Sequence, residues 1–211
     1  MVYRINRIAR DVRVAIDQNM TSEQLLAIAD IDTLSLEEII RSKIEEAVRR
    51  VETVAPVHLL EEGHSFGDAV FWEKLESGWV LLPDDFMRLI AFRMSDWERT
   101  VYAAISVDDP IYEKQSSRYK GIRGNVQKPV CAIVSRPEGK ALEFYSCNSE
   151  DAYVARASYL PYPHFDNDGG IDICEKCYTA VVYTVASLVL TTYGESDKAS
   201  ALTELAKSIL Q

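Results

Sequence analysis

The chain has 211 residues, 47% of them hydrophobic and 27% charged, with 33 acidic side chains against 23 basic ones and a formal net charge of −10. This length suits one compact domain or one domain carrying an insertion, and the composition excludes intrinsic disorder. The acidic balance argues against a general duplex-DNA binder, which needs a broad basic surface, but leaves room for a local basic patch.

Taken in chain order, the first predicted helix covers about 3–17. Ile5, Ile8, Val12 and Ile16 form its apolar stripe. Arg4, Arg7, Arg10 and Arg13 recur every third residue. They read first as a solvated face with acidic neighbours, and second as a basic face docking on an acidic partner. Thr21 and Gln24 have capping-box spacing and predict a short helix over about 22–29. The same device recurs at Ser35 and Glu38, with Leu34 and Ile39 placed as a hydrophobic staple. The helix it opens runs to about Val54, with Ile40, Ile44, Ala47, Val48 and Val51 on one face.

Beyond Gly78 the pattern changes to strands. Segments 79–82, 88–94, 100–106, 129–135, 140–147 and 153–159 are rich in Val, Ile, Phe and Tyr and bounded by turn residues. Arg136-Pro137-Glu138-Gly139 suits a type I turn and predicts a hairpin over 129–147. Segment 108–128 is polar and predicts a long exposed loop, a class that is usually functional or disordered. Helices return after Pro163. Asp172 and Glu175 have capping-box spacing ahead of an almost wholly apolar helix over 173–192, with Gly194 just past its end. A last helix covers about 196–210, with Ala199, Leu202, Leu205, Ala206 and Ile209 on one face.

This order predicts an α+β fold. Residues 1–77 and 163–211 would form one helical bundle, and 78–162 a small inserted antiparallel β-domain. No segment is apolar over the roughly 20 residues needed to cross a bilayer, and no secretory signal opens the chain. The expectation is a soluble protein with no membrane partner and reduced thiols.

Catalytic motifs are sparse. Cys174-x-x-Cys177 lacks a second ligand pair at matching spacing, since Cys131 and Cys147 lie on separate predicted strands. Core packing is its first reading, ahead of a metal or redox role. The stretch from Asp166 to Asp172 begins like a calcium loop, but Cys177 stands where a bidentate Glu is needed. The pairs Asp84-Asp85 and Asp108-Asp109 read as turn residues. His58, His64 and His164 are scattered, and no phosphate-cradling or nucleophile motif occurs. The expectation is a non-enzyme without a cofactor or metal. Aromatics with arginine on an exposed loop, such as Tyr119 and Arg123, would suit single-stranded nucleic acid, though strand cores and protein interfaces use the same residues.

The string from Trp79-Val80-Leu81-Leu82-Pro83-Asp84-Asp85-Phe86 to Ser95-Asp96-Trp97 resembles a segment of the head–tail adaptor proteins of tailed bacteriophages. These include the tail tubular protein A type and the ring proteins of crAss-like phages. Pro129 to Val134 and Leu142 to Cys147 are similar to that family too, as is the order of helices, β insertion and helices. The resemblance implies a structural virion protein at the head–tail junction, assembled in the bacterial host cytoplasm. It would form a ring of copies, commonly twelve, beneath the portal protein, extending the channel for passive DNA passage and offering the tail a docking surface. In such proteins the C-terminal helix often reaches toward the portal, which here points to Leu202, Leu205 and Ile209. A closed ring makes heterologous contacts between copies, so Arg4, Arg7, Arg10 and Arg13, with Tyr119 and Arg123 of the polar loop, complete the candidate interface. The alternatives are an interaction domain of a phage or bacterium and a Cys-dependent metal or redox protein.

Overall fold

The computed structural model describes residues 1–17, 35–145 and 147–211. The helix predicted over 22–29 and the Leu34 half of the staple lie outside them. The fold is α+β. The N-terminal helices α1 (Ile5–Asp17) and α2 (Leu36–Val54) pack with the C-terminal helices α4 (Tyr178–Thr192) and α5 (Ser196–Ile209), and antiparallel sheets are inserted between them in the chain.

The chain forms two compact units, Met1–Glu61 with Pro163–Gln211, and Glu62–Tyr162. The expected start of the insertion at 78 therefore moves to 62. The reason is strand pairing. β2 (His64–Ser65) pairs with β8 (Val154–Pro161), and β3 (Val70–Glu73) pairs with β4 (Ser77–Leu81). Both early strands are too short to give a periodic signal.

In the helical unit, α1 buries Ile8, Val12 and Ile16, as the stripe predicts, and leaves Arg7, Arg10 and Arg13 exposed, while Arg4, expected on the same helix, is exposed at the end of β1 because residues 2–4 pair with β9. The capping box of α2 is complete. The Ser35 hydroxyl accepts from the Glu38 N–H at 3.3 Å, and the Glu38 carboxylate accepts from the Ser35 N–H at 2.8 Å. Helix α4 is apolar on nearly every face because it is the central element, packed against α1, α2 and α5. The Ser187 hydroxyl of α4 donates to the Ala199 carbonyl of α5 at 2.8 Å, so this buried polar group is satisfied. Gly194 lies past the end of α4 at φ 81°, a conformation that favours glycine.

The predicted Asp172 cap is corrected. Asp172 ends a short strand, β9 (Gly170–Asp172), which pairs antiparallel with β1 (Val2–Arg4). A 3₁₀ turn over Glu175–Cys177 follows, and α4 begins only at Tyr178. The N–H groups ahead of the helix are met by distant carboxylates instead. Glu52 accepts from the Cys174 N–H at 2.9 Å and Glu61 from the Glu175 N–H at 3.1 Å. Tertiary partners have replaced a local cap.

The remaining strands of the β unit are β5 (Phe86–Met94), β6 (Cys131–Arg136) and β7 (Gly139–Phe144). The unit holds a three-stranded sheet in the order β2–β8–β5 and a four-stranded sheet in the order β3–β4–β7–β6. β6 and β7 form the predicted hairpin, closed by Pro137 and Glu138. Side-chain alternation splits the four-stranded sheet into two faces. Val80, Leu142 and Phe144 join a core with Phe66, Phe86, Phe92, Trp97 and Tyr159, while Trp79, Ala141 and Tyr145 join a smaller cluster with Ala132 and Val134. The strand expected over 100–106 is not formed. That segment makes only isolated bridges, Val101 to Phe92 and Ile105 to Ala132, because its two ends attach to different sheets.

Candidate interaction surfaces

Of the predicted arginine row, Arg4 lies on β1, and the three arginines on α1 are already partnered. Arg7 and Arg10 lie 4.0 and 3.4 Å from the Asp11 carboxylate, and Arg13 lies 3.1 Å from Glu37. Arg7 also sits 5.1 Å from the ring centre of Tyr3, which stacks on Tyr178 at 4.2 Å. Burial, and then the hydrogen bond to Asp11, push the Tyr178 phenol far above its ordinary value. The arginine pairs are exposed, each a small contribution to stability. They also reduce the charge left over for a partner.

The 108–128 segment is more ordered than its composition predicts. Asp109 caps a short helix, α3 (Pro110–Lys114), by accepting from the Ile111 N–H at 2.8 Å, the turn chemistry expected of the Asp108-Asp109 pair. Two buried polar side chains then hold the loop. Gln115 accepts from the Gly124 N–H at 2.8 Å, and Arg123, with its side chain only 2% exposed, reaches Glu76 at 3.5 Å. Arg123 is therefore an internal anchor and not part of a free surface, while Tyr119 is 66% exposed. The polar composition of the segment gives no sign of this inversion, in which the arginine goes in and the tyrosine stays out.

On α5 the predicted face also divides. Leu202 is fully buried against the bundle, Leu205 is 47% exposed and Ile209 is partly buried. Only Leu205 and Ile209 remain available to a partner. The reason is rotation of the helix. Ala199, Leu202 and Ala206 line the side facing α4, and Leu205 lies beside that line.

Cys174 and Cys177 are buried free thiols in the helical unit. Burial, then the nearby Glu52 carboxylate, push the Cys174 thiol up to about 12, which opposes thiolate formation. Among the described residues, no three His, Cys, Asp or Glu side chains converge in a way that could hold a metal ion. The Asp166 loop satisfies itself. One carboxylate oxygen of Asp166 accepts from the N–H groups of Asp168 and Gly170 at 2.9 and 2.6 Å.

A polar network on one face of the four-stranded sheet has no counterpart in the linear pattern. Glu143 accepts from Arg136 at 2.5 Å, from Tyr145 at 2.6 Å and from Tyr112 at 3.3 Å. Arg136 also reaches Glu73 at 2.8 Å and lies 4.9 Å from the ring centre of Trp79. Residues of this network line an open cleft of about 470 Å³. With three donors on the Glu143 carboxylate, the network braces the sheet face. The strand period does place Glu143 on the face of Ala141 and Tyr145, a signal visible only once the register is known. Glu52 is readable in principle. It follows Ile44 and Val48 at helical spacing and is 4% exposed.

No helix among the described residues is long and apolar enough to cross a membrane. Compared with protein-family models and with curated protein sequences, the chain gives no match.

Proposed function

We propose that this chain is a head–tail connector subunit of a tailed bacteriophage, a structural virion protein that forms a ring between portal and tail. The observation that carries the reading is the string from Trp79 to Trp97, the segment that resembles the adaptor family, set in a chain whose two ends make one helical unit with a β unit inserted between them in sequence. The string supplies scaffold in this protein. Val80, Leu82, Phe86, Phe92 and Trp97 are all core residues, and Asp85 accepts from the Tyr159 hydroxyl at 2.8 Å. In this reading the subunit performs no reaction and needs no cofactor or metal. Its partners are further copies of itself, the portal above and tail proteins below, with DNA passing through the ring. Leu205 and Ile209 on α5 are the candidate portal-side contacts, and the exposed α1 arginines are candidate contacts between copies.

Light scattering on the purified chain, alone and mixed with the portal protein encoded nearest to it, tests the proposal. The expected result is a particle many times the 23.8 kDa chain mass, or co-assembly with the portal. A small species that ignores the portal overturns it.

A further inference from the structure

We propose that the 114–128 loop binds single-stranded nucleic acid, with Lys114, Arg118, Lys120 and Lys128 contacting phosphates and Tyr119 stacking on a base. This goes beyond the connector reading and does not depend on it.

The first observation is charge. Residues 114–128 contain Lys114, Arg118, Lys120, Arg123 and Lys128 and no Asp or Glu, in a chain whose net charge is −10. Four of the five are exposed, Arg123 being the exception. Of these four, only Lys120 forms an ion pair among the described residues, with Glu76 at 3.6 Å. Lys114, Arg118 and Lys128 have no ion-pair partner among the described residues. The arginines of α1 are exposed as well, yet Arg7, Arg10 and Arg13 each face a carboxylate. At physiological ionic strength charges are screened beyond about 8 Å, so the exposed cations of this loop decide the contact in spite of the chain's overall sign.

The second observation is order. The loop closes on itself through the Gln115 to Gly124 bond and through mutual Asn125 and Lys128 backbone bonds at 3.2 and 3.0 Å. The Asn125 amide donates to the Lys120 carbonyl at 3.0 Å, and the Ile122 N–H to the Tyr119 carbonyl at 2.9 Å. With Gln115 and Arg123 as buried anchors, the exposed side chains stand on a fixed backbone, which lowers the ordering cost of binding.

The third observation selects the partner. Tyr119 is 66% exposed and lies in sequence between Arg118 and Lys120. A carboxylate-rich protein surface would be met by the cations without calling on the ring. A strand of unpaired nucleotides offers an anion and a π face with each residue, and such sites combine basic side chains with aromatic platforms.

Fluorescence anisotropy of the full chain with a labelled oligothymidylate of about twenty nucleotides tests the proposal. Three to four phosphate contacts predict a log–log salt slope of about −2 to −3, a weakening on the order of 15- to 65-fold between 50 and 200 mM salt. The double variant Arg118→Glu with Lys120→Glu should lose at least about tenfold in affinity. Tyr119→Ala should lose about fivefold or more with the salt slope unchanged. Arg10→Glu, on the other basic segment, should bind as the parent does. All of these side chains are exposed, so circular dichroism should match the parent. No binding at 50 mM salt overturns the proposal, as does binding that the double variant leaves intact. Binding that Tyr119→Ala leaves intact and polyglutamate displaces equally well assigns the patch to an acidic protein and overturns it too. Failure of ring formation leaves this binding curve unaffected, so the two readings fail separately.

Discussion

The two units solve the same packing problem with different side chains. Among the described residues, the helical unit is filled with Ile, Val, Leu and Ala, and Tyr3 is its only buried aromatic. The β unit is filled with rings, among them Phe66, Phe86, Phe92, Trp97, Phe144 and Tyr159. Small aliphatic side chains let the other helices approach α4 closely. Strands paired with register shifts, as β5 and β8 are, leave irregular gaps, and large rings in stacked, tilted and edge-to-face contact fill them. Phe92 alone lies 5.7 to 6.1 Å from the rings of Trp97, Phe144 and Phe66.

The largest expected effects test this contrast directly. Phe92→Ala should cost about 3–5 kcal/mol and Ile44→Ala about 2–5 kcal/mol in denaturant unfolding. All three tryptophans, Trp72, Trp79 and Trp97, belong to the β unit, so their fluorescence reports on that unit. Phe92→Ala should shift the fluorescence midpoint first, and Ile44→Ala the helical circular-dichroism midpoint first. If both probes move together in both variants, the units unfold as one and the contrast is one of composition only.

A smaller effect is expected at the start of α2. Ser35→Ala should cost about 1 kcal/mol, the usual value of an N-cap, seen as a lower thermal midpoint in the helical signal. Ser35→Thr should recover most of it, because its hydroxyl can both accept from the Glu38 N–H and donate to the Glu38 carboxylate as the serine does.

Glu52 gives a pH-dependent test within the helical unit. Burial, and to a lesser degree Asp172, raise its carboxyl above the ordinary value, against the hydrogen bond from Cys174. The folded state therefore holds this proton to higher pH than the unfolded chain, whose value is about 4.3. Stability from this group is full below the unfolded value and falls as pH rises through the folded one. Glu52→Gln should flatten that fall in urea midpoints measured from about pH 4 to 7. An identical pH profile in variant and parent would show that Glu52 is not its source.

The smallest effect is expected on α1. Charge reversal at Arg7 and Arg10 together should change stability by no more than the roughly 1 kcal/mol of exposed ion pairs. If particle mass also stays unchanged in the presence of the portal, the α1 row has no part in assembly.

What is legible in the sequence follows from the range of the interactions. The Ser35–Glu38 box, the α1 and α2 stripes and the Pro137-Glu138 hairpin are decided within a few residues, so their patterns survive in a linear reading. The strands β2 and β3 do not, because two and four residues carry no period. The candidate surface is legible only in part. Tyr119 and Leu205 are exposed, but Arg123 and Leu202 are inside, and nothing in their own neighbourhood says so. Arg123 is held by Glu76, far away in the chain, and Leu202 by the rotation of α5 on α4.

The sequence by itself therefore determined the α+β class, the main helices, and the insertion of a β-rich stretch between two helical ends. Hydrophobic period and local capping are properties of neighbouring residues. Only the tertiary structure decided that β1 pairs with β9 across almost the whole chain, and that Glu52 and Glu61 receive N–H groups ahead of α4 in place of a local Asp172 cap. It also decided which basic side chains meet a carboxylate, as Arg7, Arg10 and Arg13 do, and which do not, as Lys114, Arg118 and Lys128 do not among the described residues. Each of these depends on which distant groups meet, and burial then fixes the cost of leaving any of them unpaired.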